Sequence, residues 1–164
     1  MKNVVLIGMM GCGKSSVGRV LAQRLGMGFA DTDQCIEAAL GRSIPEIFAT
    51  EGEAFLRDWE LGVAEELARK ENLVIACGGG LPTRPDAIAS LKYSGTVIFL
   101  DRDGEDIYDH VSMDHRPLGQ AGREAFLERC RQREPVYRQW AEHIIPSRAT
   151  AQETAQAVLE ALQL

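Results

Sequence analysis

The sequence is short of positive charge: 18 Lys and Arg stand against 24 Asp and Glu, a formal net charge of −6. This excludes a nucleic-acid binder that relies on broad phosphate neutralisation, and an anionic ligand has to be held by local positive charge. Individual arginines become informative for that reason. The four cysteines, Cys12, Cys35, Cys77 and Cys130, are widely spaced and form no C-x-x-C pair. Neither a zinc site nor a disulfide framework is expected, and reduced thiols in a cytoplasm fit the pattern. No apolar run approaches the length needed to cross a bilayer, and Met1-Lys2-Asn3 leads directly into a short apolar segment. Neither an export signal nor a membrane anchor is expected. Internal repeats, linkers and low-complexity stretches are lacking as well. At 164 residues the chain is expected to be one domain, residues 1–164, with a core of its own.

Against these absences stands one dense motif. Gly8-Met9-Met10-Gly11-Cys12-Gly13-Lys14-Ser15 fills the eight-residue phosphate-loop pattern and follows the apolar run Val4-Val5-Leu6-Ile7. A strand, a glycine loop and a helix are predicted in that order. Three glycines let the backbone turn with its N–H groups aimed inward at the positive end of a helix beginning near Lys14, a nest suited to the β-phosphate of a nucleotide. Lys14 can reach the β- and γ-phosphate oxygens. The Ser15 hydroxyl can ligate the Mg²⁺ that travels with a nucleoside triphosphate.

Beyond the loop, Val17, Val20, Leu21 and Leu25 recur at helical spacing, with Gly26 as a stop signal. Residues 29–33 read as a short strand ending in two carboxylates, Asp31 and Asp33, and residues 34–40 as a helix closed by Gly41. The aspartates admit two readings: a helix cap with a solvated neighbour, or acids that orient magnesium beside the loop. Ser43 to Glu46 has capping-box spacing with Pro45 just inside the helix. A further helix over residues 53–70 puts Arg57 and Glu60 three apart on one face. That pair is either a surface ion pair worth little, or a clamp in which the glutamate fixes one arginine rotamer.

The apolar run Leu73–Ala76 predicts a parallel strand covered on both faces, ending in Cys77-Gly78-Gly79-Gly80. Uncovered main chain there permits close approach of a ligand at the carboxyl end of the sheet. Helices are predicted over residues 84–92, 104–111, 124–137 and 150–162, and strands over 96–101 and 143–146. Residues 112–122 are rich in loop formers and contain Arg116, the pattern of a lid that brings a cation to a closing site. Strands alternating with helices imply an α/β fold: a three-layer phosphate-loop NTPase with about five parallel strands, helices on both faces and a lid segment.

The reaction class narrows by elimination. Asp101-Arg102-Asp103-Gly104 imitates the D-x-x-G of switch GTPases but lies very late after the loop. The only asparagines, Asn3 and Asn72, are not followed by Lys-x-Asp, so the usual guanine-reading motif is absent. A transport ATPase brings a longer chain with a signature between its motifs. A small kinase remains. Over essentially its full length the chain then resembles the shikimate kinases. The resemblance runs through the phosphate loop, Phe29-x-Asp31-x-Asp33, Gly41-x-Ser43-Ile44-x-Glu46-Ile47-Phe48 and Gly52-Glu53-x-Phe55-x-Arg57-x-x-Glu60. Gly78-Gly79-Gly80, Arg116-Pro117-Leu118 and Arg133-x-Pro135-x-Tyr137 continue it.

The resemblance implies transfer of the γ-phosphoryl group of ATP to the 3-hydroxyl of shikimate, a cyclohexene carboxylate, in the chorismate route to aromatic amino acids. It assigns Arg57 and Arg133 to the carboxylate, which planar guanidinium forks bind well. Asp33 is assigned to the ring hydroxyls and to the role of base, Gly78, Gly79 and Gly80 to the substrate cradle, and Glu60 to orienting Arg57. Gly11, Cys12, Gly13, Lys14, Ser15, Ser16 and Arg116 would hold ATP, with Ser15 and Asp31 serving Mg²⁺. Lys14, Asp33 and Arg116 would be catalytic. The resemblance divides the chain into a phosphate loop at 8–15, a substrate-binding helical region at about 33–61 and a lid at about 112–122. It implies a cytoplasmic monomer with no nucleic-acid or membrane partner.

Two positions depart from the family pattern. Asp109 stands where an arginine usually covers the adenine face, leaving Arg102 or Arg148 to supply a cation, and Gly119 stands where a second leucine is common. A kinase of another small hydroxy acid such as gluconate, or a non-catalytic nucleotide-binding regulatory module, would share the phosphate loop. Acceptor-dependent release of ADP separates these readings.

Overall fold

The apolar runs of the sequence form short strands, and the three at the centre of the sheet are covered on both faces. In the computed structural model, which describes residues 2–111 and 122–164, the strands are β1 (Asn3–Ile7), β2 (Gly28–Asp31), β3 (Leu73–Ala76), β4 (Gly95–Asp101) and β5 (His143–Pro146). They form one parallel sheet in the order β2-β3-β1-β4-β5. Val5 sits at its centre, opposite Ile75 on one side and Val97 on the other, and all three are fully buried. Near-continuous apolar strands are what a doubly covered parallel sheet requires.

Among the described residues eight helices surround this sheet. The first, α1 (Lys14–Leu25), packs with the last, α8 (Ala151–Ala161). The chain moves from β1 to β2 in one direction across the sheet and through β3, β4 and β5 in the other. Right-handed crossovers therefore send α4 (Glu53–Ala68), α5 (Pro85–Ser94) and α7 (Arg123–Trp140) to the opposite face. Gly18 lets α1 press onto the sheet: a Cβ there would come within 2.5 Å of the Phe29 ring. Three shorter helices, α2 (Thr32–Leu40), α3 (Ile44–Glu51) and α6 (Gly104–His110), stand at the carboxyl ends of the strands. Beneath α2, α3 and α4 lies a second apolar cluster of Ile36, Ile47 and Leu56, backed by Phe48 and Trp59. The substrate-binding helical region expected at about 33–61 thus has a small core of its own.

Local signals explain most boundaries. Ser43 Oγ accepts from the Glu46 N–H at 3.3 Å and Thr150 Oγ1 from the Glu153 N–H at 3.1 Å, capping α3 and α8. One expectation is corrected. The strand predicted over 29–33 stops at Asp31, whose Oδ1 accepts from the N–H groups of Asp33 (2.9 Å) and Gln34 (3.2 Å). Asp31 is therefore the N-cap of α2, and Asp33 projects from its first turn instead of ending a strand. Helix α7 runs through Pro135 to Trp140, three residues beyond the predicted end. Arg116, Pro117, Leu118 and Gly119 lie outside the described residues, as does the rest of the expected lid up to residue 121. Gly122, its last position, is the N-cap of α7 with φ 104°.

Candidate active site

The phosphate loop leaves β1 at the carboxyl edge of the sheet, where open α/β sheets bind ligands. Gly8, Gly11 and Gly13 take φ of 149°, 80° and 98°, values that a side chain would strain. Gly13 precedes α1 without a side-chain cap, so the first N–H groups of that helix are free to meet an anion. Lys14 is buried over the loop, with Nζ donating to the carbonyls of Gly8 (2.7 Å) and Met9 (2.9 Å). Ser15 Oγ donates to Asp31 Oδ2 at 2.6 Å.

Beside this loop opens a cavity of about 730 Å³. It gathers Gly11, Gly13, Lys14, Ser15 and Ser16 with Asp31, Asp33, Arg57, Glu60, Gly78, Gly79, Gly80 and Arg133. Those residues come from separate segments spread along most of the sequence. Cys12 is the described exception: it does not line this cavity, and its buried Sγ lies beneath the loop against Gly8, 3.8 Å from Lys14 Nζ. Arg116 lies outside the described residues.

Two arginines dominate the cavity. Arg57 donates from Nη1 to Glu60 Oε1 at 2.5 Å and from Nη2 to Glu53 Oε1 at 3.2 Å, and its side chain is only 13 % exposed. Arg133 is 4 % exposed. Both Nε atoms are buried without a hydrogen-bond partner among the described residues. Burial and the charge of Arg57 lower the pKa of Arg133. Two desolvated like charges with unused donors make a site for an anion with two coplanar oxygens. Glu60, a buried carboxylate beside them, is itself pushed up by burial and held back by Arg57. The ion pair is therefore the clamp and not a surface ornament.

Asp33 faces the phosphate loop across the same cavity. Burial first, and then the carboxylates of Glu60 and Asp31, raise its pKa to about 7 against the pull of Lys14. A carboxylate poised near neutrality is suited to accept a proton from a hydroxyl. The three glycines after β3 are small because side chains from elsewhere press on them. A Cβ at Gly78 would overlap the Asp33 carboxylate, and one at Gly80 the Arg57 guanidinium. At Gly79 it would lie 3.3 Å from the Met10 nitrogen and 3.4 Å from Arg133 Nη1. Gly78 N–H is committed to Thr32 Oγ1 at 2.8 Å.

The donor set at the loop fits a hard cation. Ser15 and Asp31 offer a hydroxyl and a carboxylate side by side, and no cluster of three or more His, Cys, Asp or Glu suited to a metal occurs among the described residues. A divalent ion there would take its remaining oxygens from phosphates and water, the habit of Mg²⁺. On the far side of the loop, the second cavity is lined by Gly13, Ser16, Arg102 and Arg148. Asp109 is not part of it; its carboxylate reaches Arg123 Nε at 3.5 Å.

Sequence reasoning missed the apolar wall formed by Ile44, Phe48 and Leu56. Ile44 and Phe48 are one helical turn apart, so their shared face was readable, but nothing in the pattern told cavity from core. It also gave Tyr137 no role, although that hydroxyl donates to the Gly79 carbonyl at 2.6 Å.

Comparison with known proteins gives this geometry a context. A family model described as shikimate kinase matches residues 10–163. A shikimate kinase of Symbiobacterium thermophilum is 40 % identical over 98 % of this chain and 96 % of its own length. The solved structure of the Acinetobacter baumannii shikimate kinase in complex with shikimate superposes with a TM-score of 0.94 at 36 % identity, covering 99 % of this chain and 93 % of that one. A Sinorhizobium meliloti gluconokinase covers 99 % of this chain and 91 % of its own with a TM-score of 0.59 at 18 % identity. That last likeness is one of fold alone.

Proposed function

The chain belongs to the shikimate kinase family and is an ATP-dependent kinase of shikimate, and from that premise we propose which of its residues carry the reaction. The observation that supports the assignment is the convergence of Arg57, Arg133, Asp33 and the phosphate loop on one cavity. Arg57 and Arg133 receive the carboxylate of shikimate. Each charge-assisted contact contributes about 1.5–3 kcal/mol, and two of them separate the acid from a neutral ring by about two to four orders of magnitude. Glu60 holds Arg57 in place, and Gly79 and Gly80 lend main-chain N–H groups to the cradle. The helical region 33–61, with its own small core, forms the substrate-binding wall of a single domain spanning 1–164.

Asp33 orients the 3-hydroxyl and takes its proton as the oxygen attacks. Gly11, Cys12, Gly13 and Ser16 frame the triphosphate, Cys12 through its backbone because its side chain is buried beneath the loop. Lys14 exchanges the loop carbonyls for phosphate oxygens and neutralises charge on the γ-phosphoryl group, a task that Arg116 shares on the strength of the family resemblance. Mg²⁺, bound with ATP, would be held by Ser15 Oγ and, through water, by Asp31, and supplies charge neutralisation along the triphosphate. The rest of the catalysis is positioning: acceptor and donor are held in line and the wall of Ile44, Phe48 and Leu56 keeps water away. No covalent intermediate is needed.

No helix among the described residues is long and apolar enough to cross a membrane. We place the enzyme in the cytoplasm as a monomer, supplying shikimate 3-phosphate for aromatic amino-acid synthesis. The deciding experiment is ADP release from Mg-ATP with shikimate, gluconate or quinate. Release that requires shikimate and yields one phosphate ester at the 3-hydroxyl is the expected result. ATP binding without shikimate-dependent release would overturn the assignment.

A further inference from the structure

Tyr137 has no part in the mechanism above, yet it closes the motif that begins with Arg133. Its side chain is fully buried and packs on Phe99 with ring centroids 5.2 Å apart. Its hydroxyl donates to the Gly79 carbonyl at 2.6 Å and lies 3.5 Å from Met9 Sδ in the phosphate loop. Arg133, one turn earlier on α7, presses its Nη1 against the same glycine, 3.4 Å from where a Cβ would stand. The phenol and the guanidinium thus converge on Gly79 from one helix face.

In a trans peptide the C=O and the following N–H point in opposite directions. Holding the Gly79 carbonyl on the Tyr137 hydroxyl therefore turns the Gly80 N–H away from that hydroxyl, and the Arg57 guanidinium crowds the same glycine. Neither the Gly79 nor the Gly80 N–H meets an acceptor among the described residues. Burial also keeps the phenol protonated, and the neighbouring Arg133 charge opposes that only in part.

We propose that Tyr137 is a positioning residue for the acid group of the substrate: its hydroxyl fixes the Gly79–Gly80 peptide beside the Arg133 guanidinium as one anion-binding face. The proposal rests on the reading that Arg133 receives the carboxylate. Removing the hydroxyl leaves a part-buried carbonyl without its donor and lets the peptide and the guanidinium drift, a disturbance felt by the carboxylate and not by ATP.

The test is Tyr137→Phe, with kinetics for both substrates. A rise in the shikimate KM of about tenfold or more is expected, with the ATP KM within about twofold of wild type. The penalty should disappear with a trihydroxycyclohexene analogue that lacks the carboxylate, and Tyr137→Phe should add little in an Arg133→Ala background. A parallel rise in both KM values, a penalty that persists with the analogue, or full additivity with Arg133→Ala would each overturn the proposal. Arg133→Ala alone tests the underlying reading: an unchanged shikimate KM there removes both. Should Tyr137→Phe fail to fold, the hydroxyl can be kept by labelling the three tyrosines with 3-fluorotyrosine and assigning the signals through Tyr93→Phe and Tyr108→Phe. The Tyr137 fluorine resonance is expected to shift with shikimate and not with the carboxylate-free analogue. A resonance unmoved by shikimate overturns the proposal.

Discussion

Glu60 Oε1 accepts from Arg57 Nη1 at 2.5 Å from a carboxylate that is itself only 1 % exposed. The same glutamate raises the pKa of Asp33, so one buried acid sets both the arginine that meets the substrate's charge and the acid that meets its hydroxyl. Arg57→Ala is expected to raise the shikimate KM by about a hundredfold, the loss of a charge-assisted contact, and to leave the ATP KM within about twofold. Initial-rate kinetics with each substrate varied separately check this. Equal losses for both ligands would remove Arg57 from the carboxylate site.

Asp33 makes the nucleotide-free protein pH-sensitive in a defined direction. Its carboxyl titrates at about 7 in the fold against an ordinary 3.8 in the unfolded chain. Between those values the native state holds a proton that the unfolded chain has lost, so stability falls as pH rises from about 4 to about 7 and then levels off. The full shift corresponds to about 4 kcal/mol, a ceiling because the half-buried group opens onto the cavity. Asp33→Asn is expected to flatten that decline in denaturant titrations across the window and to cost at least about a hundredfold in turnover. In the same logic, Glu60→Gln should move the acid limb of kcat/KM to lower pH, since it removes a charge that raises Asp33. An Asp33→Asn enzyme with near-normal turnover would take the aspartate out of the mechanism.

Gly80 offers a purely steric test. Its backbone, φ −90° and ψ −10°, suits any residue, so Gly80→Ala strains nothing locally. The added methyl would overlap the Arg57 guanidinium, which cannot swing aside freely because Glu60 and Glu53 both hold it. A shikimate KM raised about tenfold with ATP binding unchanged is expected. Gly62→Ala on α4, where a Cβ meets nothing within 4 Å, is the control; it should leave the kinetics alone and stabilise the helix by about 0.5–1 kcal/mol. If both variants behave alike, the close approach of Arg57 to the glycines has no bearing on the substrate.

Much of this was legible in the sequence where one physical signal dominated. Strands β1, β3 and β4 read clearly because burial on both faces demands a continuous apolar run (residues 4–7, 73–76 and 97–100), and the phosphate loop because each glycine answers a backbone demand. Asp33 was placed on the wrong element because an extended Phe29-Ala30-Asp31 and a capping Asp31 give overlapping patterns; the side-chain bond to the Asp33 N–H decides between them. Arg133 could not be distinguished from Arg129, Arg131 or Arg138 by spacing along α7. Only its burial to 4 % exposure separates it from them, and burial is a property of the packed fold. The family resemblance, not periodicity, had singled it out.

The nucleotide side of the loop carries the last expectation. Asp109 is expected, on the family resemblance, to stand where an arginine covers the adenine, and its carboxylate, 52 % exposed, turns to Arg123. Arg102 occupies the adjoining cavity instead, with Nη1 donating to the Gly11 carbonyl at 3.1 Å and Nε to Asp106 Oδ2 at 2.6 Å. Those two bonds fix the guanidinium plane while its face stays available to a base. They also brace the loop at Gly11. Arg102→Ala is therefore expected to weaken ADP binding about five- to twentyfold by calorimetry, through loss of both the cation and the brace. Shikimate binding without nucleotide should be unchanged. Asp109→Ala should stay within about twofold of wild type, because its carboxylate points away from the cavity. Arg148→Ala tells the two arginines apart: the larger loss identifies which one stands in for the missing residue. If neither variant weakens ADP binding, the base is held without a cation, by the apolar and main-chain groups of the cavity alone.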